Sequence, residues 1–388
     1  ALQGLAASYT EKTGVPVKVV TAASGDYSNT LNAQMGKDGA PTVYNIGNMS
    51  GLKDWDEYAL DLTGTALAGE LTTNDFNLYN EAGELKAMGY CYETFGIIVN
   101  TKLLADAGHS LDEIKDFASL KAVADDIHAR AAELGFDAFS SAGLDDSSSW
   151  RFSGHLANMP LYYEFRDDGV KEKPAEIKGT YLDNFRNIWD LYITDSAADP
   201  TTLSTATGDQ SEAEFGEGKA VFYQNGTWEY AALTADKFNL NPDEIAMIPI
   251  YCGVDGEEKA GLCSGTENCW AVNSQAKEED IQASLDFLYW LVTDPDASAV
   301  VVDQLGAVPF KSCPASANKF IVDGNDLLAK GNYAVTWAFN YTPNVNSWRA
   351  TVVTALAAYS ADPTDANWEA VKNAFVDGWA IEYKAENG

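Results

Sequence analysis

The stretch EFGEGKAVFYQNGTWEYAAL, residues 214–233, joins a glycine-rich segment to a strand-like run and a tryptophan. The Gly218–Lys219 pair suggests a phosphate-binding loop. Such a loop needs a glycine five positions before the second glycine and a Ser or Thr after the lysine, because its amides cradle phosphate and its hydroxyl holds magnesium. Ala213 and Ala220 occupy those two positions. The stretch therefore does not predict a nucleotide site of this kind.

The same glycines also fail the dinucleotide-binding pattern, because Gly216 and Gly218 precede a strand instead of opening a helix. We predict a helix that ends at Gly218, a strand over residues 219–226, and a new helix that Thr227 caps and Trp228 begins. This order places a tryptophan and free amide donors at the end of a strand, where α/β folds hold ligands. The stretch is therefore a candidate ligand-binding element.

Helix-like and strand-like segments alternate along the rest of the chain. Period-two patterns and short apolar runs predict strands, and apolar residues at three- and four-residue spacing predict helices. Further strands are predicted at residues 15–20, 41–48, 136–143, 244–251 and 268–273, and a strand pair running into a helix at 84–108. This rhythm predicts α/β domains with mostly parallel sheets. Because no Pro- or Ser-rich linker is visible, two domains would be joined by several ordinary crossings.

Charge excludes one class of partner. The 388 residues include 25 basic and 58 acidic side chains, which gives a net charge of −33. Such a charge repels the phosphate backbone, so nucleic acid is not expected as a partner. Aromatic residues make up 12% of the chain, with ten Trp and nineteen Tyr. That surplus in an acidic chain suggests a surface that binds a flat, hydroxylated ligand.

Histidine and cysteine give little support for a metal site or a disulfide framework. His109, His128 and His155 are too scattered for metal-ligand spacing, and the five cysteines include no CxxC pair. We therefore expect no metal and no cofactor. Cys252 and Cys263 flank a predicted turn, so a disulfide between them stays possible, although the odd number of cysteines argues against a framework.

Sequence signals for catalysis are weak. The GLCSG run, residues 261–265, is similar to a nucleophile elbow centred on Cys263, but an elbow leads into a helix and the next residues predict a strand. Acidic pairs such as Asp145 and Asp146 could act as acid and base, yet 58 acidic residues make such pairs expected by chance. We therefore predict that the protein is not an enzyme.

Several segments in a fixed order carry a family resemblance. FGEGKAVFYQNGTWEYAAL resembles the signature of extracellular solute-binding proteins of carbohydrate ABC importers, the family that includes maltose-binding protein. Thr42 replaces an Asp that is usual in the family's first strands. SAGLDDSSSWRFSGHLANMPLYYEF is similar to a Gram-positive subgroup that imports oligosaccharides. The remaining similar segments are GVPVKVVTA with KDGAPTVYNIGN, ELKAMGYCYETFGIIVNTKLLADAG, GTENCWAVNSQAKEEDIQASLDFLYWLVTD, LGAVPFKS and VTWAFNYTPNVNSW.

The resemblance implies an α/β, two-lobe periplasmic-binding-protein fold with a three-crossing hinge and a ligand cleft between the lobes. We expect the crossings near residues 100–105, 248–252 and 310–314. The N-lobe would comprise residues 1–100 plus 251–311, and the C-lobe residues 101–250 plus 312–388. Because the family is exported, we expect a signal peptide, a lipid anchor and one strand to belong before the first predicted helix.

The resemblance also implies a lipid-anchored receptor at the extracellular face of the membrane. It would capture an oligosaccharide, such as a gluco- or manno-oligosaccharide, and deliver it as a monomer to the permease of an ABC importer. Two alternatives stay open: a glycoside-active enzyme, and a receptor of the same fold for a polyamine or a peptide. A carboxylate pair about 5–10 Å apart across a cleft would mark the enzyme. Acids boxed by aromatic rings would mark the polyamine receptor.

Sugar rings offer apolar C–H faces and hydroxyls, so a sugar site needs aromatic planes and polar side chains. Trp228 and Trp348 match family positions that stack on sugar. Trp270 and Trp337 lie in segments that the resemblance places at the cleft. The polar side chains selected as their partners are Asn45, Asn48, Glu93, Asp145, Arg151 and Glu267.

Overall fold

The computed structural model describes residues 2–22, 27–235 and 237–388. The helices in these ranges are α1 (Leu2–Thr13), α2 (Tyr27–Met35), α3 (Met49–Trp55), α4 (Thr101–Asp106), α5 (Phe117–Ala129), α6 (Ala131–Leu134), α7 (Ala157–Asp168), α8 (Leu182–Thr194), α9 (Gly208–Gly216), α10 (Glu229–Thr234), α11 (Glu278–Thr293), α12 (Pro295–Leu305), α13 (Lys319–Ala329), α14 (Val345–Ala361) and α15 (Asp365–Asn387). The strands are β1 (Val43–Ile46), β2 (Leu78–Tyr79), β3 (Leu85–Gly89), β4 (Glu93–Asn100), β5 (Asp137–Ser140), β6 (Ala220–Gly226), β7 (Ile245–Ile248), β8 (Ala260–Gly265), β9 (Cys269–Val272) and β10 (Tyr333–Thr336).

Contacts divide the chain into two compact units. Unit 1 comprises Ala1–Glu93 and Gly265–Ala317, and unit 2 comprises Thr94–Ser264 and Asn318–Gly388. The predicted lobes differ from these units at residues 94–100, 251–264 and 312–317. Strand pairing explains the first two differences. β4 pairs with β6 and β7 inside unit 2, and β8 pairs there with β10.

Unit 1 is built on a four-stranded antiparallel sheet in the order β1-β9-β3-β2. β9 comes from a distant part of the chain and lies between β1 and β3. Because successive side chains of a strand point to opposite faces, β1 buries Tyr44 and Ile46 and leaves Asn45 on its other face. Tyr9 of α1 packs on Phe287 and Trp290 of α11, with ring centroids 5.1 Å apart in both pairs. These rings belong to the same hydrophobic cluster as Met88 of β3 and Val272 of β9.

Unit 2 contains a larger mixed sheet in the order β10-β8-β4-β6-β5, with β7 paired to β4. The pairs β10–β8 and β5–β6 are parallel, whereas β4 runs antiparallel to both β6 and β7. Every residue of β6 is buried, and β4 is buried from its second residue onward. Strands buried on both faces read as continuous apolar runs, which is why these two were readily predicted from the sequence.

Two predictions about strands are wrong. The sheets are not mostly parallel. β9 comes from a distant segment and runs antiparallel to β1 and β3, and β6 likewise runs antiparallel to β4. Residues 15–20 alternate between partly buried and exposed positions as predicted, but they form no strand. An alternating pattern needs a partner strand before it becomes a ladder, and Pro16 has no N–H to donate to one.

The stretch at residues 214–233 folds largely as predicted. Helix α9 ends at Gly216, Gly218 takes a left-handed φ of 71°, and β6 follows at once. The prediction that Thr227 caps the next helix is wrong, because Trp228 is the N-cap of α10. The main-chain amide of Thr227 donates to Thr94 O at 2.8 Å, so Thr227 continues the pairing of β6 with β4.

Candidate functional site

Trp228 lies just beyond the carboxyl end of β6, with its ring folded back over the last residue of that strand. A Cβ atom on Gly226 would lie 2.2 Å from Cη2 of the indole, far inside van der Waals contact. Only glycine therefore leaves room for the ring at this position. The side chain is partly buried, so the strand holds the ring while part of it stays accessible.

Trp228 belongs to a continuous set of rings in unit 2, which we call the indole surface. The ring of His155 connects its members: its centroid lies 5.6 Å from Trp228, 5.0 Å from Trp150 and 3.8 Å from Phe95. Trp150 and Trp228 also contact each other, with centroids 5.9 Å apart. Trp337 extends the set, with its centroid 5.8 Å from that of Phe95. The indole surface comprises Phe95, Trp150, His155, Trp228, Trp337 and Phe339.

Trp337 is thus brought together with Trp228, as a shared ligand surface requires. Its ring stacks on Phe339 with centroids 5.3 Å apart and planes inclined by 27°. Only 9% of the residue is exposed, and its Nε1 is buried with no hydrogen-bond partner among the described residues. A ligand contact by Trp337 stays a prediction.

A buried polar layer supports the indole surface. Arg151, which is 1% exposed, donates from Nε to Gln224 O at 2.9 Å and from Nη1 to Ala142 O at 3.0 Å and Ser211 Oγ at 2.8 Å. Burial lowers the pKa of its guanidinium. The ligand contact predicted for Arg151 is therefore not supported. Its guanidinium instead ties β6 to the segments on either side, because an arginine can satisfy several carbonyl and hydroxyl oxygens at once.

Trp348 also lies away from any accessible surface. It is 1% exposed, and its Nε1 donates to Phe375 O at 3.0 Å. The rings of Phe375 and Trp379 meet it edge-on, with centroids 4.7 and 6.0 Å away. The sugar stacking predicted for Trp348 is not supported, because α14 turns this side chain into the packing against α15.

Asp145 shapes the turn that leads to Trp150. Its Oδ1 accepts hydrogen bonds from the amide and the hydroxyl of Ser147, at 3.0 and 2.6 Å. Trp150 Nε1 donates to Ser147 O at 2.9 Å, so the turn also holds this indole. Asp145 is partly exposed, and its predicted role as a ligand partner stays a prediction.

Unit 1 brings its predicted residues together by strand pairing. Asn45 of β1 lies opposite Trp270 of β9, and Asn45 Nδ2 donates to Glu267 O at 3.2 Å. Trp270 stacks on Tyr90 with centroids 4.5 Å apart and planes inclined by 14°. Asn48 caps the N-terminus of α3, where its Oδ1 accepts a hydrogen bond from Gly51 N at 3.0 Å.

Two carboxylates accompany these rings. Burial, and then the charge of Glu267, raise the pKa of Glu93 above its ordinary value. The described residues place no Lys, Arg or His within ion-pair distance of either carboxylate. We call Asn45, Tyr90, Glu93, Glu267 and Trp270 the acidic surface. Ligand contacts by Asn45, Glu93, Glu267 and Trp270 stay predictions.

Sequence reasoning does not select Phe95, Tyr90, Trp150 or His155. Trp150 and His155 lie in the segment similar to the oligosaccharide-importing subgroup, which was the available signal. Phe95 and Tyr90 lie in or beside the strand pair predicted at residues 84–108, and only the sheet neighbours reveal their ring contacts. His155 lies in a π-helical segment, Arg151–Leu156, a feature that often marks functional sites.

The described residues give little geometric support for a metal site, a disulfide or a nucleophile elbow. In the described ranges no three His, Cys, Asp or Glu side chains converge as metal ligands would. All five cysteines are free, including Cys252 and Cys263. Cys263 lies inside β8 and is followed by β9, so the run at residues 261–265 forms no nucleophile elbow. Among the described helices, none is both long enough and apolar enough to cross a membrane.

The chain belongs to a family of bacterial extracellular solute-binding proteins. The family model with that description matches residues 4–319, most of the chain. No curated protein matches the sequence. The resemblance stated from the segments around residues 214–233 is thereby confirmed at the level of the family.

Solved structures share the fold at low identity. A family 1 extracellular solute-binding protein from Bifidobacterium longum subsp. infantis is 17% identical, with a TM-score of 0.70 over 98% of this chain and 96% of its own. RafE from Streptococcus pneumoniae is 15% identical, with a TM-score of 0.76 over 99% and 94%. The GacH receptor of Streptomyces glaucescens is 20% identical, with a TM-score of 0.66 over 99% and 94%. The predicted α/β solute-binding-protein fold is confirmed.

Proposed function

We propose that this protein is a receptor that binds an oligosaccharide, such as a gluco- or manno-oligosaccharide. The observation that carries the proposal is the Trp228 ring seated on Gly226 within the indole surface. A fixed indole can cover the C–H face of a sugar ring at little entropic cost, because only two side-chain torsions are frozen. Trp150, which contacts Trp228, is also partly accessible and offers a second indole.

Similar proteins support this ligand class. RafE has been solved in complex with raffinose, and a sugar transporter protein from Bacillus licheniformis in complex with stachyose. A chitin oligosaccharide binding protein has the same fold. Sequence identity to these three is 13–14%, so they suggest the class of ligand and not the particular sugar.

We further infer the setting in which the receptor works. Membership of the extracellular solute-binding family supports delivery of the ligand to the membrane permease of an ABC importer. A lipid-anchored monomer at the extracellular face of the membrane would fit that role. Because the family is one of solute-binding proteins, we expect bound sugar to be recovered intact.

Calorimetry with a ligand panel tests the proposal. Raffinose, stachyose, maltotriose and chitotriose would be titrated into the protein, with spermidine and a tripeptide as the competing classes. We expect micromolar or tighter binding of at least one sugar, and chromatography of the bound sugar should show no cleavage. Binding of none of the four sugars would contradict the proposal, and hydrolysis in proportion to protein would favour an enzyme.

The acidic surface supports a second candidate, a receptor of the same fold for a polyamine. Glu93 and Glu267 lie beside the stacked pair Tyr90 and Trp270 without a basic partner among the described residues. Aromatic faces and carboxylates together favour an organic ammonium group. Tight binding of spermidine with no binding of sugar would select this candidate.

A further inference from the structure

One ring nitrogen of His155 has no hydrogen-bond partner among the described residues. The residue is 5% exposed and lies within the indole surface, stacked on Phe95 with the two planes inclined by 8°. Its Nδ1 lies 3.0 Å from Nε2 of Gln224. For Nε2 of the imidazole, no described residue provides a hydrogen bond.

The tautomer of His155 follows from that contact. The amide nitrogen of Gln224 can only donate, so Nδ1 must accept and the proton of a neutral ring must sit on Nε2. Burial, and then the positive charges of Arg349 and Arg151, hold the pKa of His155 well below its ordinary value. The ring is therefore a neutral N–H donor with a fixed orientation.

The environment of this donor suits a sugar hydroxyl. The His155 ring contacts two indoles, with Trp150 at 5.0 Å and Trp228 at 5.6 Å between centroids. Trp337, on the same surface, has an unpartnered Nε1 as well, but that atom is buried. A single N–H group among aromatic planes matches a ligand that has both C–H faces and oxygen atoms.

If the protein binds an oligosaccharide as proposed above, we propose that His155 Nε2–H donates a hydrogen bond to one oxygen of that sugar. Gln224 acts as the positioning residue, because its amide fixes which ring nitrogen carries the proton. A neutral donor matches an uncharged saccharide oxygen, so this contact selects for the position of one hydroxyl or ring oxygen and not for charge.

The test pairs a protein variant with altered sugars. The sugar of the panel of raffinose, stachyose, maltotriose and chitotriose that binds tightest would be compared by calorimetry with analogues that each lack one hydroxyl. We expect one analogue to bind wild-type protein about tenfold more weakly, which is about 1.4 kcal/mol. For His155→Phe, the same analogue should bind less than about twofold more weakly than the complete sugar. The hydrogen-bond partner of the missing hydroxyl is already absent from this variant.

Three controls separate this contact from packing. His128→Phe, at a histidine bonded to Asp137 outside the indole surface, should bind like wild type. Thermal midpoints of the variants report folding. In nitrogen-15 NMR of the wild type, the Nε2–H signal of His155 should be present without sugar and should shift on adding it.

Gln224→Glu tests the positioning role. A carboxylate would accept from Nδ1–H and move the proton away from Nε2, so NMR should show the reversed tautomer. Sugar affinity should fall about tenfold. Unchanged affinity with a reversed tautomer would overturn the inference.

The failures are distinguishable. Wild type that binds none of the four sugars contradicts the proposed function itself. The wild type could bind sugar while every analogue loses as much affinity for His155→Phe as for the wild type. That result would contradict the role of His155 alone. If His155→Phe does not fold, an Nε2–H signal that stays fixed when sugar saturates the wild type overturns the inference.

Discussion

The indole surface of unit 2 and the acidic surface of unit 1 are both built from stacked rings beside polar groups, but their charges differ. In unit 2 the groups next to the rings are the neutral His155 and the buried guanidinium of Arg151. In unit 1 they are Glu93 and Glu267, without a basic partner among the described residues. Aromatic residues alone therefore do not separate a sugar receptor from a polyamine receptor; the charge beside them does.

The largest expected effect comes from removing the central indole. Trp228→Ala should cost on the order of 2–4 kcal/mol of sugar binding, the range for central aromatic anchors. That is roughly thirty- to a thousand-fold in the dissociation constant measured by calorimetry. Tyr289→Ala, at an aromatic side chain of α11 that is 38% exposed, serves as the matched control. Normal sugar binding by Trp228→Ala together with a much lower melting temperature would assign Trp228 to the core.

A smaller loss should follow from moving the same ring without removing it. Gly226→Ala would place a methyl group 2.2 Å from the indole, so the ring must leave its seat. We expect sugar affinity to fall about tenfold, or about 1.4 kcal/mol. Gly4→Ala is the control, since a Cβ there meets nothing within 4 Å. Equal affinities of the two variants would show that the seat on Gly226 is unimportant.

Neutralising the acidic surface should separate the two ligand classes. In a Glu93→Gln, Glu267→Gln double variant, sugar affinity should change by less than about threefold, because uncharged hydroxyls bond to amides as well as to carboxylates. Any spermidine binding should fall about tenfold, since a charge-assisted contact is lost. Competition titrations measure both. A collapse of sugar binding with spermidine unaffected would reverse the assignment of the surfaces.

The smallest expected effect is on the pH dependence of the folding stability. Burial, and then the charge of Glu212, raise the pKa of Glu229 to about 7, against opposing effects of Arg151 and Lys237. A carboxyl whose pKa is higher in the folded state stabilises the fold when protonated, so this contribution is lost as pH rises from about 4.5 through about 7. Glu229 directly follows Trp228 in the chain, so this titration occurs next to the indole surface.

Melting curves at pH 5 and pH 8 check this expectation. Relative to wild type, Glu229→Gln should gain about 1–2 °C more at pH 8 than at pH 5, which corresponds to roughly 1 kcal/mol for a chain of 388 residues. Glu258→Gln, at an exposed carboxylate of unit 2, is the control. The same pH dependence in wild type and Glu229→Gln would assign the titration to other groups.

Features set by neighbouring residues in the chain were predictable from the sequence. Helix α9, strand β6 and the tryptophan after the Asn225–Gly226 pair follow from local patterns, and the structure has all three. The composition of the two surfaces was only partly predictable. Asn45, Glu93, Glu267 and Trp270 were selected and do lie together, whereas Tyr90 was missed because the β3–β9 pairing that aligns it is not local.

The failures have the same origin. Trp348 was selected from a family position, but the face of α14 that carries it packs on α15, which no local pattern reveals. Arg151 was expected at the ligand, yet its partners come from β6 and from residues 142 and 211. Strand direction was wrong because the chain returns to each sheet from far away. Contacts between segments far apart in the chain determine these features. Local patterns in a single sequence do not reveal which segments meet.

The uneven burial of the tryptophans gives the protein an optical reporter. Trp189, Trp348, Trp368 and Trp379 are 2% exposed or less, whereas Trp150 and Trp228 are partly accessible and touch each other. Excited indoles respond to the polarity around them, so the deeply enclosed rings emit a steady blue background. A sugar that covers Trp150 and Trp228 should shift part of the red emission, to which the partly buried Trp55, Trp270 and Trp290 also contribute. Intrinsic fluorescence can therefore follow ligand occupancy in real time without any added dye.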